Sequence, residues 1–376
     1  MSEHGPIPAR VPDVSVIIPT YQRPQKAAAC VATLARQTLP PDRYEVLVGL
    51  DGPDEQTPRA LRAAWHAAGG VNDNLVVVPC ERAGLNATRN RLLERARGWV
   101  MLSLNDDVLA EPRLIEEHLH AQEHARKRKP AAGESPRTVA DGGRVGGACV
   151  TGSADWVVPP KSEDTLMDRL VRETSMVFFY DQMRFDAADP DRDWGFRHCW
   201  GLNFSAPMWA VRETGGFTAF PLTYGHDDIE LAWRLKRRFG MPVWFRPGAR
   251  VHHDHRYRAG DILQREHNLG VASWRFAAES PEFGLSLFGR DITSREEIEY
   301  SRAFVQREGP TAERLRETFL SLDRIAADAI PSSVDPGSPG EVIIRALYQQ
   351  HLLLKRWTWR KGLLDAAGTS GEFEAA

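Results

Sequence analysis

The sequence predicts an α/β fold with a mostly parallel central sheet flanked by helices. Short runs rich in Val, Ile and Leu alternate with segments whose apolar residues have helical spacing, and most of the runs end at a turn signal. Such alternation implies right-handed βαβ crossovers, which join parallel strands. The first four predicted strands are residues 14–19, 44–50, 74–78 and 99–104, and the helices between them are residues 26–37, 58–68 and 86–96.

The rest of the chain is less regular. Strands are predicted at residues 146–150, 200–209 and 243–245, and a helix at residues 227–239 that ends at Gly240. Residues 161–195 lack a clean period and stay unassigned. Residues 125–143 resemble a polar insertion whose basic run is a solvated face. Residues 261–362 are predicted to be mostly helical, with a linker at 331–340.

Composition excludes several classes of protein. Lys plus Arg number 48 against 51 Asp plus Glu, so no basic excess supports nucleic-acid binding. No stretch approaches 18 apolar residues, and the start MSEHGPIPARVPD lacks the layout of a signal peptide. The four cysteines form no CxxC pair, which excludes a zinc ribbon and favours a reducing compartment. We therefore expect a cytoplasmic protein.

Polar side chains follow three of the first four strands. Thr20–Arg23, Asp51 and Asn105–Asp107 each come directly after or at the end of a predicted strand. Ligands of open α/β sheets bind beyond the carboxyl ends of the strands. These clusters therefore predict a binding site at that edge.

Each acidic cluster has a structural and a functional interpretation. Asp106 and Asp107 could cap a following helix, or a divalent cation could relieve their repulsion and neutralise a diphosphate. Asp227 and Asp228 could cap the helix that they open, or supply a general base. The run RVHHDH at residues 250–255 holds three histidines that are either ordinary partly buried residues or metal ligands.

Several segments of the chain, taken in their order along the sequence, resemble those of family 2 glycosyltransferases, which have the GT-A fold. The similar segments include SVIIPTYQRP, EVLVGLDGP, GLNATRNRLLERARGWVMLSLNDD and GGFTAFPLTYGHDDIELAWRLKRRFGMPVWFRPGARVHH, and they span about residues 13–255. The resemblance implies a Rossmann-like catalytic domain at residues 1–258, with a nucleotide-sugar half at about 13–110 and an acceptor half at about 145–258. A mainly helical extension would follow at residues 259–376.

The resemblance also implies a role for particular residues. The nucleotide pocket would contain Pro19, Thr20, Tyr21, Arg23, Asp51, Arg89 and Asp106. Within it, Thr20 and Tyr21 would lie near the base, Asp51 would accept a hydrogen bond from uracil, and Asp106 would face the ribose. Asp107 and His253 would bind Mn²⁺ or Mg²⁺, with His252 as the alternative histidine. Asp228 would be the catalytic base, with Asp227 beside it.

The chain departs from the family pattern at two positions. Leu50 replaces the first of two acids that often precede the glycine after the second strand, and Asn105 replaces the first of three acids at the metal motif. Neither change removes the residue expected to contact the base or the metal. The predicted activity is an inverting transfer from a nucleotide sugar, most simply a UDP-sugar, of the hexosyltransferase type. The alternatives are a nucleotidyltransferase or pyrophosphorylase, and a non-catalytic sugar-nucleotide binding module.

The acceptor and the C-terminal region are less defined by sequence. A glycan, a lipid-linked sugar or a small molecule could be the acceptor, and Trp156, Trp194 and Trp200 are candidates to stack on it or to form core. The segment EVIIRALYQQHLLLKRWTWR is an amphipathic helix. It is expected to pack on the catalytic domain, or alternatively to contact anionic lipid at the inner face of the membrane.

Overall fold

The structure of the protein is a computed structural model that describes residues 11–128, 146–186, 188–220, 225–333 and 335–371. Most of the predicted insertion, residues 129–143, lies outside this part of the chain. The described residues form two compact units. The first contains residues 11–128 and 146–155, residues 183–220 and residues 227–254. The second contains residues 156–182, 225–226 and 255–371, so that the segment 156–182 groups with the C-terminal helices.

The first unit is built on a mixed sheet. Its strands, in chain order, are β1 Val14–Thr20, β2 Tyr44–Asp51, β3 Leu75–Cys80, β4 Val100–Leu104, β5 Val108–Ala110, β6 Cys149–Trp156, β7 Asn203–Pro207 and β8 Val243–His253. Their order across the sheet is β3-β2-β1-β4-β7-β6-β8-β5. Strands β1 to β4 pair in parallel, as the sequence predicts, whereas β7 pairs antiparallel with β4 and β6, and β8 pairs antiparallel with β5.

Helices connect the strands and form the second unit. In chain order they are α1 Pro24–Leu34, α2 Gln56–Ala67, α3 Leu85–Arg95, α4 Leu114–Lys127, α5 Leu166–Glu173, α6 Tyr180–Phe185, α7 Met208–Glu213, α8 Asp227–Phe239, α9 Ala259–Glu279, α10 Pro281–Phe288, α11 Arg295–Ser321 and α12 Pro339–Gly371. No described helix has both the length and the hydropathy required to cross a bilayer.

The burial of the first two strands on both faces explains why the sequence predicts them clearly. Every residue of β1 and β2 is buried, so apolar residues lie on both faces of these strands rather than on alternate positions. The buried polar pair Ser15 and Glu45 is satisfied by a hydrogen bond of 2.7 Å between the two side chains. Helix α3 packs closely on β2 because Gly49 carries no side chain. A Cβ at Gly49 would lie 2.5 Å from the Thr88 side chain and 3.2 Å from that of Leu92.

Two predictions about later elements need correction, and one unassigned region contains helices. The predicted strand at 200–209 is confined to Asn203–Pro207, and the chain enters α7 at Met208. The predicted strand at 243–245 continues to His253, because its backbone pairs with β5 although polar residues interrupt the apolar run. The unassigned region 161–195 contains α5 and α6.

The second unit has its own apolar core. Helix α12 packs against α9 and α11, and it buries Leu354 and Trp357 in that core. Two basic residues of this helix are engaged within the unit. Lys355 donates to the Met176 carbonyl at 2.8 Å, and Arg360 pairs with Glu297 at 2.8 Å. Helix α12 is therefore a core helix of its unit, and lipid contact through it stays a prediction.

We predict that Gly270→Ala destabilises the second unit by about 1–3 kcal/mol, the usual cost of overpacking. A Cβ at Gly270 would clash with the backbone carbonyl oxygen of Trp359 in α12, and backbone cannot rotate away. Gly260→Ala in the same helix is the matched control, since nothing lies within 4 Å of its added Cβ. The free energy of unfolding measured by urea denaturation should fall only for Gly270→Ala. An equal effect of both substitutions would contradict the proposed close contact.

Candidate active site

Two loops meet at the carboxyl ends of β1 and β4. The Thr20 hydroxyl donates to Asp106 Oδ2 at 2.7 Å. The guanidinium of Arg23 bridges the neighbouring acids, with Nη1 2.8 Å from Asp106 Oδ1 and Nη2 3.0 Å from Asp107 Oδ2. Both aspartates are 5% exposed. The structure therefore brings together Thr20, Arg23, Asp106 and Asp107, as expected for residues that follow the carboxyl ends of neighbouring parallel strands.

The loop that carries Arg23 is held in an unusual conformation. Gln22 has a φ of 49°, which lies in the left-handed region that non-glycine residues rarely adopt. This turn comes between Thr20 and Arg23, both of which contact the acids, and directly before helix α1 at Pro24. Backbone strain of this kind is often concentrated at functional sites.

The capping interpretation of Asp106 and Asp107 is wrong. The two residues lead into strand β5, and the next helix, α4, begins at Leu114 with Arg113 at its cap. Burial, followed by the adjacent charge of Asp107, raises the pKa of Asp106 to about 6, although Arg23 acts in the opposite direction. The two adjacent carboxylates are therefore stabilised by Thr20 and Arg23, and not by the N-terminus of a helix.

Asp107 and His253 converge across the β5–β8 pair. Val108 and His253 are register partners in that antiparallel ladder, and His253 Nε2 lies 3.2 Å from Asp107 Oδ1. His252 points to the opposite face of β8, as alternation requires, and its Nε2 lies 2.7 Å from Glu111. One carboxylate oxygen and one imidazole nitrogen on buried, adjacent side chains fit a divalent transition-metal ion.

Asp228 lies at the start of α8 with a carboxylate held by backbone donors. Its Oδ2 accepts the Gly201 N–H at 2.5 Å, and its Oδ1 accepts the Ile229 N–H at 2.8 Å. Burial is the main cause that raises the pKa of Asp228, to about 6, and the charge of Asp227 adds to it. A carboxylate with a raised pKa is better suited to accept a proton than an ordinary surface acid.

Arg89 supports this site from beneath. The side chain is 2% exposed, and its Nη1 donates to Asp227 Oδ2 at 2.7 Å. Its Nη2 lies 3.3 Å from Asn105 Oδ1 and 3.4 Å from the Gly201 carbonyl. The contacts described for Arg89 are thus with protein groups of the site, and direct contact with a nucleotide stays a prediction.

Asp51 is the last residue of β2, and Tyr21 directly follows β1. Asp51 Oδ1 accepts the backbone N–H groups of Ala83 and Gly84 at 2.8 and 3.0 Å, which fixes the loop that leads into α3. The guanidinium carbon of Arg82 lies 3.3 Å from the centre of the Tyr21 ring. Pro19 is buried within β1 opposite Gly49.

Sequence reasoning missed two residues of this site. Arg82 covers Tyr21, and the backbone of Gly201 holds Asp228. Arg82 could have been found, since it follows β3 at the same sheet edge as the other clusters. Gly201 could not, because nothing in the sequence indicates which loop approaches the start of α8.

The three candidate acceptor tryptophans have different surroundings. Trp200 is only 9% exposed and belongs to the core of the first unit. Trp156 packs against Phe178 and Tyr257 in the second unit, with ring centroids 5.8 and 5.9 Å away. Trp194 lines an open cleft. Of the two interpretations, Trp200 is therefore a core residue.

Comparison with known sequences gives a consistent set of relatives. Residues 15–128 match the family described as Glycosyl transferase family 2. The validoxylamine A glucosyltransferase of Streptomyces hygroscopicus subsp. limoneus is 28% identical over 251 residues, which are 62% of this chain and 50% of that protein. Glycosyltransferase AglE of Haloferax volcanii is 32% identical over 107 residues, 28% of this chain and 34% of its own. The chain thus spans half the length of the first relative, or less in the case of AglE.

Solved structures of similar extent include a mannosyltransferase complex and a complex of TarS with UDP-GlcNAc. The mannosyltransferase PcManGT from Pyrobaculum calidifontis, in complex with GDP-Man and Mn²⁺, aligns with a TM-score of 0.48 and 18% identity, over 99% of this chain and 90% of that one. TarS 1–349 from S. aureus, in complex with UDP-GlcNAc, aligns with a TM-score of 0.44 and 13% identity, over 96% and 92%.

We predict that Arg89→Met lowers the free energy of unfolding by about 3–5 kcal/mol, because it leaves the buried Asp227 carboxylate without its cation. Arg91→Met on the same helix is the control. The Arg91 side chain is 67% exposed, and its ion pair within the described part of the chain is with Glu94 three residues on, so its loss should change stability by less than about 1 kcal/mol. Urea denaturation of both variants checks this, and similar stabilities for the two would show that the Arg89 pair is energetically unimportant.

Proposed function

Since this chain belongs to glycosyl transferase family 2, we propose that it is an inverting, metal-dependent glycosyltransferase that transfers a hexose from a nucleoside diphosphate sugar to an acceptor hydroxyl. One observation carries the proposal. The Asp107–His253 donor pair and the Asp228 carboxylate lie in the same unit. A series of hydrogen bonds connects them: Arg89 contacts Asn105 and the Gly201 carbonyl, and the Gly201 N–H donates to Asp228. A site for a cation and a site for a proton acceptor are what this reaction requires.

Asp107 and His253 would hold the metal ion. An imidazole in the donor set favours Mn²⁺ over Mg²⁺, which prefers oxygen ligands alone. A divalent cation bound there would supply charge neutralisation for the diphosphate leaving group. Arg23 already contacts both acids and is exposed enough, at 36% of its side chain, to exchange them for a phosphate oxygen.

Asp228 would act as the base. Its carboxylate accepts the proton of the acceptor hydroxyl while that oxygen bonds to the anomeric carbon and the bond to the diphosphate breaks on the opposite face. A single displacement of this kind inverts the anomeric configuration. The hydrogen bond from the Gly201 N–H orients the carboxylate, and Arg89 fixes the neighbouring Asp227. Asp227 and Arg89 are therefore proposed as positioning residues.

For the donor we propose a UDP-sugar. Asp51 would accept a hydrogen bond from the base through its second oxygen, since Oδ1 is occupied by two backbone donors. The Tyr21 ring, 43% exposed and covered by Arg82, offers a flat surface beside it. A relative named for glucosyl transfer to validoxylamine A supports a hexose as the sugar and a small molecule as one class of acceptor; glycan and lipid-linked acceptors are the other two.

We further propose a cytoplasmic location. Cys30, Cys80, Cys149 and Cys199 are all free thiols, and three of them are buried. Free buried thiols fit a reducing compartment.

The first test is release of nucleoside diphosphate from a panel of UDP- and GDP-sugars with Mn²⁺ present. We expect turnover with a UDP-hexose and its loss by about 10²-fold or more in Asp228→Asn, because general-base catalysis is removed. Donor binding, measured by calorimetry, should persist in this variant. Glu213→Gln, an exposed acid on α7, serves as control and should retain activity. Formation of a nucleoside triphosphate and a sugar 1-phosphate when pyrophosphate is added would indicate a nucleotidyltransferase or pyrophosphorylase, and binding without turnover would indicate a non-catalytic module.

We also predict that the transfer rate measured in this assay depends on pH. The base must be deprotonated, and the pKa of Asp228 is raised to about 6. The rate should therefore be constant well above pH 6 and fall by about tenfold per pH unit below it. A rate that stays constant down to pH 4.5 would contradict the assignment of Asp228 as base.

The metal site is tested by Mn²⁺ binding, followed by electron paramagnetic resonance without any substrate. His253→Ala and Asp107→Asn should each weaken binding by roughly tenfold or more, since even residues behind a metal ligand contribute that much. His252→Ala is the matched control, because its ring points to Glu111 on the other face of the strand. A larger loss in His252→Ala than in His253→Ala would reverse the choice of ligand.

A further inference from the structure

A hydroxyl group inside the sheet contacts the loop that holds the proposed base. Ser103 is the one polar residue of β4, whose other residues are Val, Met and Leu, and its side chain is fully buried. Its Oγ donates to the Gly201 carbonyl at 3.1 Å. A buried hydroxyl without a partner is costly, so this hydrogen bond accounts for a serine at an otherwise apolar position.

Gly201 is held on both sides of its Cα atom. Its N–H donates to Asp228 Oδ2 at 2.5 Å, and its carbonyl accepts from Ser103. Arg89 Nη2 also approaches this carbonyl, but at 3.4 Å, near the outer limit of a hydrogen bond. Of these two donors to the carbonyl, Ser103 therefore makes the shorter contact.

The residue at position 201 has to be small, and it therefore has to be fixed by its neighbours. A Cβ there would lie 2.9 Å from Arg89 Nη2, and Arg89 is buried and paired with Asp227. Glycine lets the guanidinium approach, but its backbone rotates more freely than that of any other residue. The direction of the Gly201 N–H thus depends on contacts such as the one from Ser103.

We propose that Ser103 is a positioning residue for the transfer reaction. Its hydroxyl fixes the carbonyl of Gly201, so that the N–H of the same residue stays directed at the carboxylate of Asp228. Ser103 itself acts on the backbone and not on the substrate. This role rests on the proposed function, in which Asp228 is the base.

The hydrogen bond from Gly201 affects when Asp228 is charged. Burial, followed by the charge of Asp227, raises the pKa of Asp228 to about 6, whereas the N–H groups of Gly201 and Ile229 and the charge of Arg89 act in the opposite direction. A weaker bond from Gly201 removes part of that opposition, so the pKa of Asp228 rises further. The rate should then begin to fall at a higher pH, because the base must be deprotonated.

The test compares the pH dependence of transfer in Ser103→Ala with that of the wild-type protein. Well above pH 6 we expect kcat to fall by about tenfold, a part of the roughly 10²–10⁴-fold that a positioned base contributes. The pH at which the rate begins to fall should rise by about half a unit to one unit, since hydrogen bonds to charged groups are the stronger ones. The KM for the donor should stay the same. Ser103→Cys keeps the shape with a weaker donor and should give intermediate values.

Thr151→Val is the matched control. Thr151 is also fully buried, and its hydroxyl donates at 2.9 Å to the carbonyl of His198, three residues before Gly201 in the same loop. This variant should keep the wild-type pH profile, with the stability of all variants measured by urea denaturation. A wild-type profile in Ser103→Ala, or an equal shift in Thr151→Val, would overturn the proposal. If Ser103→Ala does not fold, Ser103→Cys provides the same comparison.

A second readout needs no turnover. Nuclear magnetic resonance of protein labelled with ¹³C at the aspartate carboxyl groups gives the pKa of Asp228, whose signal is identified by its absence in Asp228→Asn. Ser103→Ala should raise this pKa and Thr151→Val should not, and an unchanged value in Ser103→Ala would contradict the proposed positioning. Full activity of Asp228→Asn would instead overturn the assignment of the base, so the two failures are distinct.

Discussion

The ion pair between Arg89 and Asp227 is the interaction on which the arrangement of the acidic residues Asp106, Asp107, Asp227 and Asp228 depends. A guanidinium that is 2% exposed must be paired, and it lies within hydrogen-bond distance of groups from three segments: Asp227 on α8, Asn105 after β4 and the Gly201 carbonyl. Because a buried cation without its carboxylate is costly, these segments are held together. The same pair separates the roles of two neighbouring acids. Asp227 is committed to Arg89, and Asp228, beside that charge and desolvated, has the raised pKa of a proton acceptor.

The second pair of acids follows the same principle. Asp106 and Asp107 are adjacent and buried, and each has different partners: Thr20 and Arg23 contact Asp106, whereas Arg23 and His253 contact Asp107. Adjacent carboxylates in different environments can take different roles, which is a common property of catalytic sites. In this protein we propose that Asp106 faces the ribose of the donor and that Asp107 holds a cation.

The change of strand direction within the sheet places the histidine. If β8 were parallel to β5, the last residue of β8, His253, would lie at the far end of β5 from Asp107. Its antiparallel pairing with β5 instead makes Val108 and His253 register partners, and the period of two then points His253 towards Asp107 and His252 away from it. The choice between two adjacent histidines is thus a question of register.

The sequence by itself determined the parallel half of the sheet, the helix that begins at Asp227 and the identity of the acids at the strand ends. These features are local: buried strands are continuous apolar runs, helices have a 3.6-residue period, and turn residues mark the ends. Tertiary structure alone decided that β8 extends through the histidines, that the residues 156–182 group with the C-terminal helices, and that Arg89 lies beneath the site and not on its surface. Pairing partners and burial are set by residues distant in the chain. For Arg89 that residue is Asp227, which lies 138 positions away.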